Sequence, residues 1–353
     1  MRIGINALYL IPGGVGGTEV YLRRLVEGLE GLETEHEFIV FTNRETGRLG
    51  RQCVELPVRA SFRPWRLLYE QFALPFVLRR YGIEALLNPG FTAPACAGVP
   101  QATVFHDLQH KRHPEYFRWF DLPFWELFLW VAVKRSQKLI AVSEATRADL
   151  KRYYGAEATV VEHGVERAFF DLASRREDGG YLLCASTTHP HKNHERLLRA
   201  FAVLRKEEPA ARLVLTGVKG FAAGQVERAV SELGLGEAVE LKGWVAREEL
   251  YELFRRARGF VYPTKFEGFG MPVLEAMAAG VPLACSGIEP LRGIVGECAV
   301  LFDPEDDGAV LEGLRRLWRG EAPGGGPLRA AAYPWERAAR ETVRVVESTT
   351  EML

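Results

Sequence analysis

Phe260-Val-Tyr-Pro-Thr-Lys-Phe-Glu267-Gly-Phe-Gly-Met-Pro-Val-Leu-Glu275-Ala-Met-Ala-Ala-Gly280-Val-Pro-Leu-Ala284 is the stretch on which the fold turns. Phe260 to Tyr262 is a short apolar run of the kind found in a strand covered on both faces. Proline is well suited to the first helical position, where its missing N–H would have no partner in any case, so Pro272 predicts a helix over 272–279. A second apolar run, Pro282 to Ala284, follows directly. Strand, helix and strand in this order make a parallel β-α-β unit.

The same alternation extends in both directions. In the first half, Ile3 to Ile5, Phe38 to Phe41, Ala85 to Leu87, Ala102 to Phe105 and Leu139 to Val142 read as strands. Helical periods lie between them, as in Thr18 to Leu32, where Leu22, Leu25, Val26 and Leu29 share one face. Another helix follows Ser143, a good N-cap, over Glu144 to Tyr153. In the second half, strands are expected at Tyr181 to Ala185, Leu213 to Thr216, Val239 to Leu241 and Phe260 to Tyr262, with helices at Glu195 to Lys206 and Arg247 to Ala257. Between the halves, 173–180 has no apolar period and ends in paired glycines, the composition of a linker. The expectation is therefore an α/β chain of two Rossmann-like doubly wound domains, 1–172 and 181–330. The final segment, 331–353, carries a helix able to pack back on the first domain. Ligands of such sheets bind beyond the carboxyl ends of the strands, which points to the loops there and to a cleft between the domains.

Composition narrows the function classes. With 353 residues the chain is longer than one core usually supports. It balances 45 basic against 46 acidic side chains, so no overall field draws it to nucleic acid, and an anion site must be local. Five scattered cysteines without a CxxC pair argue against a disulfide framework or a zinc site and for a reducing, cytoplasmic setting. The N-terminus reads as a first strand and not as a signal peptide, and the longest apolar stretch, Leu122 to Val133, is too short to span a bilayer.

Four segments carry chemistry. Pro12-Gly-Gly-Val-Gly16-Gly17-Thr-Glu-Val leads into a helix, and such glycines let backbone N–H groups approach a phosphate. The same run also reads as a flexible turn, and Glu19 breaks the dinucleotide fingerprint. His106, at the end of a strand, can donate to a sugar hydroxyl or a phosphate oxygen, or simply be a satisfied core histidine. His110 and His113 stand nearby, but a His-x3-His-x2-His spacing is weak as a metal site. In His189-Pro-His-Lys192-Asn193-His, a lysine just ahead of a helix combines an ammonium with oriented N–H donors, which suits a diphosphate; Asn193 is expected to cap that helix. The bland reading is a solvated lysine. Ionised carboxylates only accept hydrogen bonds, so Glu267 and Glu275 suit the vicinal hydroxyls of a sugar or ribose better than a phosphate. A hydrolase would use the same two as acid and nucleophile, but it leaves Lys192 and the glycine run without a role. Finally, aromatic and basic residues mix in Tyr116 to Trp130 and around Arg63 to Tyr69. Buried helix packing is the preferred account, with interfacial membrane docking as the other.

Taken together, the glutamates, glycines, proline and Glu-Ala-Met helix of 260–282 resemble the signature of family 4 retaining glycosyltransferases of the GT-B fold. The glycine run, His106-Asp-Leu, Ser143-Glu-Ala-Thr, His163-Gly-Val, His191-Lys192-Asn193 and Gly243-Trp-Val occur in that family's order. The stretch from His106 to Phe117 is similar to bacterial mannosyltransferase-like members that build surface polysaccharides. The resemblance implies a nucleotide diphosphate-sugar donor, GDP-mannose before UDP-, ADP- or dTDP-sugars, held mainly by the second domain. It also implies a glycan or lipid-linked acceptor on the first domain, no added cofactor, and work in the cytoplasm at the inner face of the membrane. By the family's pattern Glu275 takes the ribose hydroxyls, while Glu267 with the backbone of Phe269 and Gly270 faces the sugar. Lys192, Asn193, Gly16 and Gly17 lie toward the diphosphate, and His106 near the transferred sugar. Ser186 stands where an arginine is frequent, His163 where asparagine is usual, and Gly293 where a glutamate is frequent. No Asp-x-Asp triplet is present, so a metal-bridged diphosphate is not expected. An inactive donor-binding partner of such an enzyme is the reading from another class.

Overall fold

The computed structural model describes residues 1–14 and 16–351; Val15 in the glycine run and residues 352 and 353 of the terminal segment lie outside the described residues. The chain forms two units, Met1–Gly164 with Pro334–Leu353, and Val165–Tyr333.

The first unit is a seven-stranded sheet of β1 (Arg2–Asn6), β2 (Glu37–Thr42), β3 (Cys53–Glu55), β4 (Ala85–Asn88), β5 (Gln101–Phe105), β6 (Lys138–Ala141) and β7 (Thr159–Val160). Their order is β3-β2-β1-β4-β5-β6-β7 and every pairing is parallel. Strands β4 and β5 are buried at every residue, as expected where helices cover both faces. One face packs Ile39, Phe41 and Leu86 under Leu74 and Leu78; the other packs Phe105 and Leu139 against Leu129 and Leu150. The helix Trp335–Thr350 belongs to this unit, burying Trp335, Ala338, Ala339, Thr342 and Val346 along one stripe.

The second unit is a six-stranded parallel sheet of β8 (Leu182–Ala185), β9 (Leu213–Thr216), β10 (Val239–Gly243), β11 (Gly259–Tyr262), β12 (Leu283–Ser286) and β13 (Val300–Phe302). Its order is β10-β9-β8-β11-β12-β13, with Leu182 opposite Gly259 where the winding reverses. Both sheets are thus doubly wound, and the reversal falls between β1 and β4 in the first and between β8 and β11 in the second.

Several sequence expectations shift. The segment 173–180 lies within the second unit, where the amides of Glu177 and Gly179 bond the carbonyls of Arg255 and Arg256. The passages between units fall at Gly164–Val165 and Tyr333–Pro334, where no compositional change marks them. Pro272 occupies the second position of its helix, Met271–Ala278, because Gly270 supplies the turn one residue earlier. Strands β3, β7 and β13 have only two or three residues each, too few to show a period.

Candidate active site

In the second unit the loops after β8 and β11 begin side by side at the reversal of winding, and the structure ties them together. The Lys265 amide donates to the His191 carbonyl at 2.7 Å, and the Thr264 hydroxyl reaches the same oxygen. Asn193 takes a left-handed conformation (φ 62°), which asparagine tolerates better than most residues. Its side-chain amide donates to the carbonyls of Pro263 (3.1 Å) and Pro304 (2.8 Å). Asn193 therefore stands at the N-cap of helix His194–Glu207 without capping it through its side chain, contrary to the sequence expectation; it bridges three loops instead.

This framework brings Lys192 and Glu267 together. The Lys192 ammonium donates to the Glu267 carboxylate at 2.5 Å and to the Tyr262 hydroxyl at 2.9 Å. Both side chains keep only a thin solvent-facing edge, 12% for Lys192 and 10% for Glu267. Tyr262 is fully buried, and burial first, then the Glu267 charge, raises its pKa far above the ordinary value, so it is a neutral hydroxyl. The sequence reading missed Tyr262 because a tyrosine closing an apolar strand looks like core; its position directly before the Pro-Thr-Lys turn is the one available signal.

After Glu267 the chain bends into the Met271–Ala278 helix. Gly270 has φ 117°, and a Cβ there would meet Leu291 Cδ2 at 2.3 Å, so the bend requires glycine. Phe269 is buried and sets its ring edge-on to Tyr333. One turn into the helix, Glu275 accepts from Arg247 at 3.1 Å. Arg247 also pairs with Glu166, whose other oxygen accepts from the Tyr251 hydroxyl at 2.7 Å. The guanidinium lies 5.1 Å from the Phe169 ring centre and 5.4 Å from that of Tyr251. Burial works against its charge, but Glu275 and Glu166 together raise its pKa. Arg247 and Glu166 were not visible as site residues, since they are remote from Glu275 in sequence.

Ser186, in the place of the frequent arginine, bonds the His194 ring at 3.0 Å through Nε2. His194 is buried; burial, and then the Lys192 charge, pushes its pKa down to about 4, so it adds no positive charge near neutral pH. Of the two lysines in these loops, Lys265 faces Glu305 at 3.9 Å, and Lys192 is the one paired with Glu267.

In the first unit, the glycine run follows β1 and leads into helix Gly17–Glu30. Gly16 has φ 59° and ψ −129°, a conformation open to glycine. Glu19, which breaks the dinucleotide fingerprint, accepts from the Gly13 amide at 2.7 Å and from Arg23 at 2.9 Å, so its carboxylate braces the run. His106 follows β5 but is buried, 6% exposed, and its Nε2–H donates to the Pro89 carbonyl at 2.8 Å. Tyr21 meets its ring edge-on at 4.7 Å and His163 packs at 5.5 Å. Burial pushes the His106 pKa down to about 4, which leaves a neutral imidazole with its proton fixed on Nε2. No cluster of metal-ligating side chains occurs among the described residues.

Comparison with known proteins follows the same division. The profile for glycosyl transferases group 1 matches residues 166–333, and that for Glycosyltransferase Family 4 matches residues 15–169. O-antigen chain mannosyltransferase B of Escherichia coli is 30% identical over 299 residues, 79% of this chain and 78% of its own. MMP alpha-(1->4)-mannosyltransferase of Mycolicibacterium hassiacum is 30% identical over 284 residues, 74% of this chain and 68% of its own. Among solved structures, sucrose-phosphate synthase from Thermosynechococcus elongatus aligns over 100% of both chains with a TM-score of 0.82 at 18% identity. Anabaena HepE in complex with UDP and glucose aligns over 99% of this chain and 100% of its own, with a TM-score of 0.72 at 16% identity. The structural likenesses establish the fold as GT-B. The sequence likeness spans more than three quarters of this chain and of the Escherichia coli protein, so this chain is a glycosyltransferase that belongs to glycosyl transferases group 1.

Proposed function

We propose that the enzyme transfers a hexose, with retention of anomeric configuration, from a nucleoside diphosphate sugar to a glycan or lipid-linked acceptor during surface polysaccharide synthesis. The observation that carries this reading is the Lys192–Glu267 pair, held on two cross-linked loops at the reversal of one sheet. An ammonium and a carboxylate at contact distance are the two groups a diphosphate sugar requires. The ammonium offsets charge on the leaving phosphates, and the carboxylate accepts from sugar hydroxyls. Donor binding draws Lys192 toward the diphosphate and frees Glu267 for the sugar. Tyr262 keeps one hydroxyl contact on the ammonium as it moves. Glu275 accepts from the ribose hydroxyls while Arg247 fixes its carboxylate, and the backbone at Phe269 and Gly270 borders the sugar. Asn193 acts by fixing the Lys192 loop. Roles for Gly16 and Gly17 at the diphosphate, and for His106 as a neutral group near the sugar, rest on the family resemblance.

With charge on the leaving group met by Lys192 and helix N–H groups, the reaction needs no divalent metal. GDP-mannose is the donor we favour, since the Escherichia coli and Mycolicibacterium hassiacum relatives are named mannosyltransferases; UDP-glucose is the second, since HepE was solved with UDP and glucose. The enzyme works on the cytoplasmic side of the membrane.

A thermal-shift panel of nucleotide sugars tests the donor, because a ligand stabilises by RT ln(1 + [L]/Kd). The largest shift is expected with GDP-mannose, unchanged by a chelator. A larger shift with UDP-glucose would replace mannose, and no shift with any nucleotide sugar would overturn the proposal.

A further inference from the structure

Two helical regions of the first unit wear their hydrophobic residues outward. On helices Arg63–Phe72 and Leu74–Arg80, the residues Trp65, Leu68, Phe72 and Phe76 recur at helical spacing and are all exposed, Phe76 at 74%. Phe120, Phe124, Leu127 and Trp130 form a second stripe along helix Leu122–Arg135 and the turn before it, with Trp119 beside them at 81% exposure. A helix in an α/β unit buries its apolar stripe. Here Leu67, Leu74, Leu78, Leu129 and Val133 do that, while the opposite faces are also apolar. The sequence preference for buried packing is therefore corrected for these outer stripes. The two regions adjoin, since the Arg63 guanidinium sits 4.1 Å from the centre of the Trp125 ring. Soluble monomers seldom expose apolar patches beyond roughly a few hundred Å², so so many large side chains call for a partner.

Charge identifies the partner. Across residues 59–81 and 111–135 there are ten lysines and arginines against four aspartates and glutamates, whereas the whole chain balances 45 against 46. Of the four, Glu70 is buried beside Arg66, Glu126 pairs with Lys111 at 2.5 Å, and Glu115 bonds His113. Arg59, Arg79, Arg80, Arg118, Lys134 and Arg135 are exposed around the aromatic stripes. A second copy of this chain would set this basic surface against itself in a two-fold dimer, which like charges oppose. An anionic lipid surface complements both properties, because aromatic rings settle at the headgroup level while basic side chains snorkel to the phosphates.

We propose that this face docks the enzyme peripherally on an anionic bilayer. It lies in the interface plane and does not cross, as no helix among the described residues is long and apolar enough to span a membrane. The proposal is independent of which sugar is transferred.

The test is co-sedimentation of the full chain with vesicles of phosphatidylethanolamine and phosphatidylglycerol, and with vesicles of phosphatidylcholine alone. Binding is expected to the first and roughly tenfold weaker to the second, declining with salt. Phe72→Ser with Phe76→Ser, and Trp119→Ser with Phe124→Ser, should each reduce partitioning roughly tenfold or more. Arg79→Gln with Arg80→Gln and Arg118→Gln, which leaves the aromatics in place, should remove the preference for anionic vesicles. All of these positions are exposed, so the circular dichroism spectrum and Tm should match the parent. Absence of binding to anionic vesicles, or partitioning unaltered in both aromatic variants, would overturn the proposal. So would a stable dimer that the aromatic variants convert to monomer.

Discussion

The Lys192 ammonium lies 2.5 Å from the Glu267 carboxylate, although the two come from different loops 75 residues apart in sequence. With little solvent around them, each makes the other's charge tolerable. Removing one partner leaves a desolvated ion, which costs far more than the intact pair contributes. Lys192→Met and Glu267→Gln should each destabilise by about 2 kcal/mol in urea unfolding, and the double variant by less than their sum by about 1 kcal/mol. Transfer should fall by about a hundredfold or more in either single variant. Additive stabilities would show that the contact contributes nothing.

Asn193 should matter to the fold of the site more than to ligand contact. Asn193→Ala loses two side-chain hydrogen bonds and forces alanine into a left-handed conformation, for about 3 kcal/mol in all. Asn193→Gly removes the backbone strain and keeps only the hydrogen-bond loss, so it should be the milder change by thermal unfolding. Equal losses in the two variants would contradict this division.

Arg247 holds the Glu275 carboxylate through a 3.1 Å hydrogen bond, and in the proposed site it acts on the donor only through Glu275. Arg247→Met should raise KM for the donor roughly tenfold while kcat changes little, the pattern of lost ground-state binding. It should also erode discrimination between ribose and 2′-deoxyribose donors, as should Glu275→Ala. A merely structural effect would lower kcat for both donors alike.

Acid stability should follow the buried histidines. Burial pushes His106, His110 and His194 down to about 4 and His163 well below its ordinary value. Below the unfolded histidine value the unfolded chain binds protons that the folded chain refuses, so stability is present above that value and is lost as pH falls toward 4. Each fully buried histidine should account for about 1 kcal/mol between pH 7 and 5.5. Glu70 and Glu162, whose carboxyls burial raises, act in the opposite sense and flatten the curve. Tm measured across this range should drop toward acid, and less steeply in His194→Gln. A flat profile would contradict the burial of these rings.

The β-α-β unit from Phe260 to Ala284 was legible because β11, its glycine bend and its helix are adjacent in sequence and each has its own local signal. The same holds for Ser143, whose hydroxyl does accept from the Thr146 amide. Contacts between distant segments were not legible. Nothing near Arg247 announces that it will meet Glu166 and Glu275, and nothing in Asn193 distinguishes a cap from a bridge to Pro263 and Pro304. The return of the terminal helix Trp335–Thr350 to the first unit lies close to the expected end of the second domain at 330, whereas the first boundary falls at Gly164, ahead of the expected linker, because 165–180 packs within the second unit.

In the proposed site Lys192 and Glu267 form the diphosphate-sugar half of the donor pocket. Calorimetric titration of nucleoside diphosphates, GDP first and UDP second, into the parent, Lys192→Met and Glu267→Gln proteins tests it most directly. Lys192→Met should weaken the favoured diphosphate roughly tenfold or more, while Glu267→Gln, which removes a negative charge beside the lysine, should leave it unchanged or tighter. Undiminished binding to Lys192→Met would contradict it.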